Sequence, residues 1–375
     1  MQGAMGENSV SSCWRGEHSK SDEKWILVCS NNDKLEDELG NGLTIEGGRR
    51  YQRAEFHMVD LNNKKIHRHC FPSLVQFVVT DSMVAFDNFV YIFGYRSSYV
   101  VDSSDFKKLQ SQQSLSPETL QEIFLGGSRL DLDQSLHTGW CPTPVPSENA
   151  CLPKCTSLLG KIYTFGTLYL NPEVFDPVDG NWKSLPSRLE LVGCTVSNHV
   201  LPDPSKKRFL VHLSDGQLPS PSLFAFFPPG LHPADFGGTG IWDCIARDFE
   251  DWTHIAVVFD GVIYFHSRKF DSVLRAFDIA TGTWLEVLWV SCFDDNLDLN
   301  NKRMEFDALL LLADGIFCLA AWSPIFAYDG QPTRTNIYFY KFNVVRSGET
   351  IKLCPLTSCT YELLSTSRVQ VFLPV

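Results

Sequence analysis

The chain has 375 residues, of which 44% are hydrophobic and 20% charged, and its formal net charge is −12 at pH 7. This composition is typical of a globular protein with a sizeable core, and the 13% of aromatic residues favours strands. The acidic balance excludes nucleic acid as the expected partner, because phosphate binding needs clustered Lys and Arg. The basic runs, Lys64-Lys65 and Lys206-Lys207-Arg208, are short and are expected to be solvated hairpin tips.

The cellular setting is suggested by the cysteines and the first residues. Most of the twelve cysteines lie in apolar runs, as free thiols do, so we expect reduced thiols and a cytoplasmic or nuclear protein. Residues 1–23 are polar, lack the apolar stretch of a signal peptide and are expected to form a disordered tail. The apolar segment 306–327 contains Asp307, Asp314-Gly315 and Pro324. Because an aspartate is costly inside a membrane and Asp-Gly favours a tight turn, we expect two strands joined by that turn and no membrane partner.

From residue 24 onward, one hairpin pattern recurs along the chain. A short apolar strand, a turn and a second strand rich in Ile, Tyr and Phe are predicted at residues 82–94, 155–166, 253–267 and 307–322. The turns carry mostly residues that tolerate positive φ, as two-residue hairpin loops require. They are Asp87-Asn88, Leu159-Gly160, Asp260-Gly261 and Asp314-Gly315.

Two further strands complete each predicted unit. A third strand that ends in an aromatic and an acidic or turn residue is predicted at 55–61, 173–177, 274–279 and 337–343. Tryptophan marks the start of several fourth strands, at Trp140, Trp182, Trp242 and Trp284. The centres of the second strands recur every 48 to 72 residues, a spacing typical of propeller blades. These centres are Leu27, Tyr91, Tyr163, Val211, Tyr264 and Phe317.

The repeated strings resemble those of a known family. VYIFG, KIYTFG…VFDPVDGNWKSLP and DGVIYF…RAFDIATGTW are similar to kelch repeats of the galactose oxidase/kelch superfamily, especially the divergent repeats of plant F-box/kelch-like proteins. Single glycines, Gly94 and Gly166, stand where that family has a doublet. The resemblance covers residues 24–375 and implies one all-β domain, a six-bladed kelch-like β-propeller with four antiparallel strands per blade. The C-terminal strand, Ser367 to Val375, is expected to complete the first blade and close the ring.

Three insertions are candidate binding loops, because long loops on a rigid scaffold often carry function. The largest, residues 103–139 in the second blade, contains a predicted short helix after Ser116, which either docks a partner or lies on the propeller rim. Residues 226–240, with His232, Asp235 and Phe236, either bind a ligand or simply connect the third and fourth strands of the fourth blade. The acidic stretch 292–305 lacks the EF-hand spacing and is expected to be a solvated loop.

No residue set forms a catalytic signature, and no cofactor is expected. His67-x-His69-Cys70 is the densest group of metal-type residues, but a structural zinc site needs four ligands. Glu250, four residues before His254, matches only part of the pattern found in the iron-dependent specifier proteins of the kelch superfamily. The alternative to a binding protein is a metal-dependent enzyme with its site at the mouth of the central channel.

The resemblance implies a non-catalytic scaffold that recognises a protein through loops on one rim, linked to ubiquitin-ligase assemblies. No F-box-like segment is expected before residue 24, since 23 polar residues cannot build that unit. We expect a monomer with an unidentified protein partner. The candidate contacts are aromatic and arginine residues that follow the second strands. They are Tyr95, Arg96, Tyr169, Arg268, Phe270 and Trp322.

Overall fold

The computed structural model describes residues 25–374 except for a set of connecting segments. The residues left out are 33–43, 46–48, 51–52, 62–64, 68–73, 76–82, 88, 94–126, 133–139, 147–153, 167–171, 186–190, 192–193, 197–199, 215–217, 233, 235–239, 250–255, 267–273, 290–304, 327–331 and 364–367. The described part is all β. It contains no α-helix, and so none that is long and apolar enough to cross a membrane.

The described strands are numbered in chain order. In chain order they are β1 (Trp25–Asn32), β2 (Thr44–Ile45), β3 (Arg49–Arg50), β4 (Arg53–Asp60), β5 (Lys65–His67), β6 (Leu74–Val75), β7 (Met83–Phe86), β8 (Phe89–Phe93), β9 (Gly127–Asp131), β10 (Trp140–Thr143), β11 (Lys154–Leu158), β12 (Lys161–Phe165), β13 (Glu173–Asp176), β14 (Asn181–Ser184), β15 (Thr195–Val196), β16 (Leu201–Asp203), β17 (Arg208–Ser214), β18 (Ser222–Phe227), β19 (Ile241–Arg247), β20 (Ala256–Phe259), β21 (Val262–Phe265), β22 (Arg275–Asp278), β23 (Thr283–Trp289), β24 (Glu305–Ala313), β25 (Ile316–Phe326), β26 (Pro332–Ser347), β27 (Thr350–Leu363) and β28 (Arg368–Pro374).

These strands form five sheets and a small β2–β3 ladder in the described part. The first sheet runs β28-β1-β4-β5, with β6 also paired to β4. The second runs β10-β9-β8-β7, the third β11-β12-β13-β14, and the fourth β15-β17-β18-β19 with β16 also paired to β17. The fifth sheet has eight strands in the order β20-β21-β22-β23-β27-β26-β25-β24. Its two halves, β20–β23 and β24–β27, are each antiparallel and consecutive in sequence.

The strand pattern predicted from the sequence is confirmed where the structure describes it. Each of the four tryptophans occupies the first or second position of β10, β14, β19 or β23. Leu159 and Gly160 have φ values of 50° and 79°, and Asp260 and Gly261 have 48° and 72°, so both central residues of these tight turns are left-handed. The six predicted centres all lie on second strands and are buried: Leu27, Tyr91, Tyr163, Val211, Tyr264 and Phe317.

The two ends of the described chain meet in the first sheet. β28 runs antiparallel to β1, from Ile26 opposite Pro374 to Asn31 opposite Arg368. The predicted pairing of the C-terminal strand with the first strand is therefore confirmed. β1 is paired on its other side with β4, so neither of its edges is left open.

The core lies between successive sheets. Buried clusters join the second sheet to the third, the third to the fourth, the fourth to the β20–β23 half, the two halves to each other, and the β24–β27 half to the first sheet. The first strands of these units also contact one another in a cycle. The contacts run from β7 to β11, β16, β20, β24 and β28, and from β28 back to β7.

The predicted extent of the large insertion was wrong. Residues 127–131, inside the predicted loop 103–139, form β9, the third strand of the second sheet. A Cβ on Gly127 would lie 2.7 Å from Thr143 Cγ2 and 3.1 Å from Phe93 Cδ1. The absence of a side chain at Gly127 therefore permits close strand packing, where the sequence suggested the end of a helix. The predicted helix itself lies outside the described residues. The connection after Phe227 does join the third and fourth strands of the fourth sheet, as predicted.

The junction between the halves of the fifth sheet was not predicted. Residues 286–289 of β23 pair in parallel with residues 350–353 of β27. β26 and β27, 16 and 14 residues long, extend far enough for β27 to reach β23. Two polar contacts reinforce the junction. Glu286 N donates to Glu349 O over 3.0 Å, and Arg346 donates to the Asp278 carboxylate.

Candidate interaction surface

Only one of the six predicted contact residues lies in the described part of the chain. Trp322 was expected in a rim loop, but it lies within β25, which continues to Phe326. Its side chain is 7% exposed and belongs to the core between the β24–β27 half and the first sheet. The rim placement of Trp322 was therefore wrong, because the strand is longer than its sequence pattern suggested. The other five lie outside the described residues: Tyr95, Arg96, Tyr169, Arg268 and Phe270.

The metal-type residues do not converge in the described part. His67 ends β5, whereas His69, Cys70, Glu250 and His254 lie outside the described residues. Within the described ranges, no group of three or more His, Cys, Asp or Glu side chains is placed to hold a metal ion. The eight cysteines described there are free thiols, and burial raises the pKa of Cys29 and Cys318 above the usual thiol range.

Three partly exposed apolar residues lie on one face of the β23–β27 junction. Trp284 is 39% exposed, Leu288 42% and Val345 44%. Together with the exposed Glu286 and Lys352, these residues are called the junction strip below. Exposed apolar side chains that are grouped on one face are a feature of protein interaction sites.

The parallel pairing creates this strip. Along β23, side chains alternate between the two faces of the sheet, so Leu285 is buried in the cluster between the halves of the fifth sheet, whereas Trp284, Glu286 and Leu288 lie on the opposite face and are partly exposed. Leu288 lies opposite Lys352, and Lys352 lies opposite Val345. Neighbouring strands are about 4.8 Å apart, so these three side chains form one row across the junction.

Aromatic contacts hold Trp284 at one end of the strip. Its ring centroid is 5.1 Å from that of Phe277 and 5.5 Å from that of Phe249, which stacks on it at 19°. The Arg275 guanidinium carbon lies 3.9 Å from the centroid of the Trp284 ring. Phe265 is a further neighbour, with its ring centroid 5.7 Å from that of Trp284. A tryptophan held in this way loses little rotamer freedom on binding, and tryptophan and arginine often dominate interface energies.

Two charged groups flank Leu288. Glu286 lies two residues before it on β23, and Lys352 lies beside it on β27. Neither side chain forms an ion pair with any residue that the structure describes. The junction strip therefore has an acidic side chain, Glu286, on one side of Leu288 and a basic side chain, Lys352, on the other.

Sequence reasoning missed the junction strip. The alternation in TWLEVLW from Thr283 to Trp289 predicts a strand, but it does not reveal which of its apolar residues face solvent. That choice depends on β27, which lies more than 60 residues away.

Comparisons with known proteins give no family assignment. No protein-family model matches the chain, and no curated protein sequence matches it either. Among solved structures, a DUF4623 family protein from Bacteroides eggerthii has a TM-score of 0.40 at 8% identity, covering 86% of this chain and 76% of that one. Apo AztD from Citrobacter koseri has a TM-score of 0.34 at 10% identity and covers 94% of this chain and 99% of that one.

A third similar structure is the N-terminal domain of Nup159, with a TM-score of 0.31 at 8% identity. That match covers 75% of this chain and 62% of the other, so it spans less than two thirds of the Nup159 chain. All three TM-scores lie below 0.5, and neither fold nor function is inferred from these likenesses.

Proposed function

We propose that this chain is a six-bladed, kelch-like β-propeller that acts as a non-catalytic protein-binding scaffold. Four observations support six blades: the four separate multi-stranded sheets, the two halves of the fifth, the buried clusters between successive units, and the cycle of contacts among first strands. The β28–β1 pair supports closure of the ring by the C-terminal strand. A ring of this kind is a rigid frame that presents surfaces without needing to change shape.

The observation that carries the binding function is the junction strip. Trp284, Leu288 and Val345 expose apolar area on one face, and aromatic neighbours hold Trp284 in place. The occupant that we assign is a partner protein with an apolar side chain over Leu288. This partner places a carboxylate near Lys352 and a cation near Glu286, because both strip charges lack partners within the described chain.

The kelch-like repeats suggest a biological setting for this scaffold. We propose a substrate-recognition role in a ubiquitin-ligase assembly of the cytoplasm or nucleus, supported by the repeated acid-turn-tryptophan pattern at residues 176–182 and 278–284. A ligase subunit among the partners would support that setting. Stoichiometric copper, iron or zinc in the purified protein would instead contradict the non-catalytic proposal.

Proximity labelling with mass spectrometry tests the binding surface. The wild-type chain is compared with a Leu288→Asp/Val345→Asp variant, which places charge on two exposed sites. Val178→Asp is the matched control, since Val178 is 93% exposed and lies in an isolated turn. We expect the double variant to lose a defined set of labelled proteins that Val178→Asp retains, with all three thermal midpoints within a few degrees.

The same experiment can contradict the proposal. If the double variant and Val178→Asp label the same proteins as the wild type, the junction strip is not the contact surface. Calorimetry then measures the binding of one recovered partner to the purified protein. We expect the double variant to bind about tenfold more weakly or worse, which corresponds to a loss of about 1.4 kcal/mol of binding free energy.

A further inference from the structure

A second surface, separate from the junction strip, lies at the turn between β16 and β17. The buried Asp203 organises this turn. Its Oδ1 accepts a hydrogen bond from Ser205 Oγ at 2.6 Å, and its Oδ2 accepts one from Arg208 Nε at 2.9 Å. Lys206 N also donates to the Asp203 carbonyl over 3.3 Å. The turn is therefore held in one conformation from within.

Arg208, the first residue after this turn, contacts the aromatic residue that ends β18. The Arg208 guanidinium carbon lies 5.9 Å from the centroid of the Phe227 ring. The Phe227 and His232 rings meet at 67° with their centroids 4.5 Å apart. His232 Nδ1 accepts a hydrogen bond from Ala234 N over 3.1 Å. Half-buried aromatic rings thus stand next to the turn, in a connection that the sequence had marked as a candidate binding loop.

The turn leaves two cations without a counter-charge. Asp203 neutralises Arg208, whereas Lys206 and Lys207 are exposed, as the sequence predicted, and form no ion pair with a described residue. The lysines of the third sheet differ, because Lys161 pairs with Asp176 at 2.9 Å and Lys183 with Asp179 at 3.9 Å. Lys206 and Lys207 are therefore two adjacent exposed charges that no described acidic side chain neutralises.

The backbone at Lys207 has a φ of 53°, in the left-handed region. Asp87, Leu159, Asp248 and Asp260 share this conformation, so a non-glycine residue with positive φ recurs along the described chain.

We propose that this turn is a docking site for a short acidic segment of a partner protein. Carboxylates of the segment pair with Lys206 and Lys207, and an apolar side chain packs against Phe227 and His232. A short segment fits better than a nucleic acid, because a chain of net charge −12 repels a long polyanion more strongly than a short acidic segment. The aromatic pair also gives the site an apolar component that phosphate recognition would not use.

Fluorescence anisotropy with a labelled peptide of five glutamates and one phenylalanine tests the site. We expect the wild-type protein to bind it, with affinity falling as salt rises from 50 to 200 mM. A Lys206→Glu/Lys207→Glu variant should bind about tenfold more weakly or worse. Lys183→Glu, which alters a lysine already paired with an acid, is the control and should bind like the wild type.

Three results would overturn the proposal. One is equal binding of a peptide in which glutamine replaces every glutamate. Another is equal loss of affinity in Lys183→Glu and in the double variant. The third is tighter binding of a single-stranded oligonucleotide that carries the same number of charges. Circular dichroism checks that all variants are folded, and the exposed turn makes loss of fold an unexpected outcome.

Discussion

The indole of Trp182 meets the phenyl ring of Phe93 edge-on, with centroids 5.1 Å apart and ring planes at 81°. Phe93 is the last residue of β8 in the second sheet, and Trp182 is the second residue of β14 in the third, so this contact joins successive units. The indole Nε1 also donates to the carbonyl of Pro144, just after β10, over 2.9 Å. Trp242 and Phe165 repeat the relationship between the fourth sheet and the third, at 6.5 Å and 90°.

A double-mutant cycle measures this inter-sheet contact. Phe93→Leu and Trp182→Leu should show a coupling energy of about 0.5–1.5 kcal/mol in urea unfolding, as for other aromatic pairs. Trp182→Phe keeps a ring but loses the bond to Pro144, and should cost about 1 kcal/mol. Trp182→Leu combined with Phe372→Leu is the control, because Phe372 lies in a different cluster and the two effects should add. Strict additivity of Phe93 and Trp182 would mean that their contact stabilises nothing.

The C-terminal strand should be essential to stability. β28 fills one edge of the first sheet, and Phe372 packs edge-on against Phe339 with centroids 5.7 Å apart. Phe372→Ala should cost about 3 kcal/mol, the lower end for loss of a buried aromatic. Deleting residues 367–375 should lower the thermal midpoint far more than deleting residues 1–20. Equal effects of the two deletions would argue against closure of the ring by β28.

Stability should depend on the ionisation of Asp278. Burial by itself raises the pKa of this carboxyl. Hydrogen bonds from Thr281 N at 3.1 Å and Ala280 N at 2.8 Å lower it, as does the Arg346 guanidinium, and together they exceed the effect of burial. The pKa of Asp278 in the folded protein thus lies below its ordinary value. Its contribution to stability is fully present above the unfolded pKa of about 3.9 and is lost as pH falls through the folded pKa.

Urea unfolding between pH 3 and pH 7 tests this dependence. Asp278→Asn should be less stable than the wild type at pH 7, and the difference should shrink as the pH falls below about 4. Asp179→Asn is the control, since its exposed ion pair with Lys183 should change stability by no more than about 0.5 kcal/mol. A difference between Asp278→Asn and the wild type that stays constant across this range would contradict the assignment.

The repeated acid-turn-tryptophan pattern has a local cause. Asp278 accepts hydrogen bonds from the amides two and three residues later, and Asp176 accepts one from Val178 N at 3.0 Å. The Lys161 ammonium and that amide hold the pKa of Asp176 below its usual range. In both units, the tryptophan on the next strand lies directly opposite a phenylalanine. Because these interactions span only a few residues, the pattern can be recognised without knowledge of the rest of the fold.

The amino-acid sequence by itself predicted the recurring hairpins, their tight turns and the buried centre of each second strand, because alternation and turn chemistry act over a few residues. It also predicted that the last strand would pair with the first, since the first unit lacked a strand. It did not predict β9, which lies inside the predicted insertion. Only the tertiary structure decided that Leu288 is exposed whereas Leu285 is buried, and that Trp322 lies in the core. Those outcomes depend on the strands that lie opposite, which belong to distant parts of the chain.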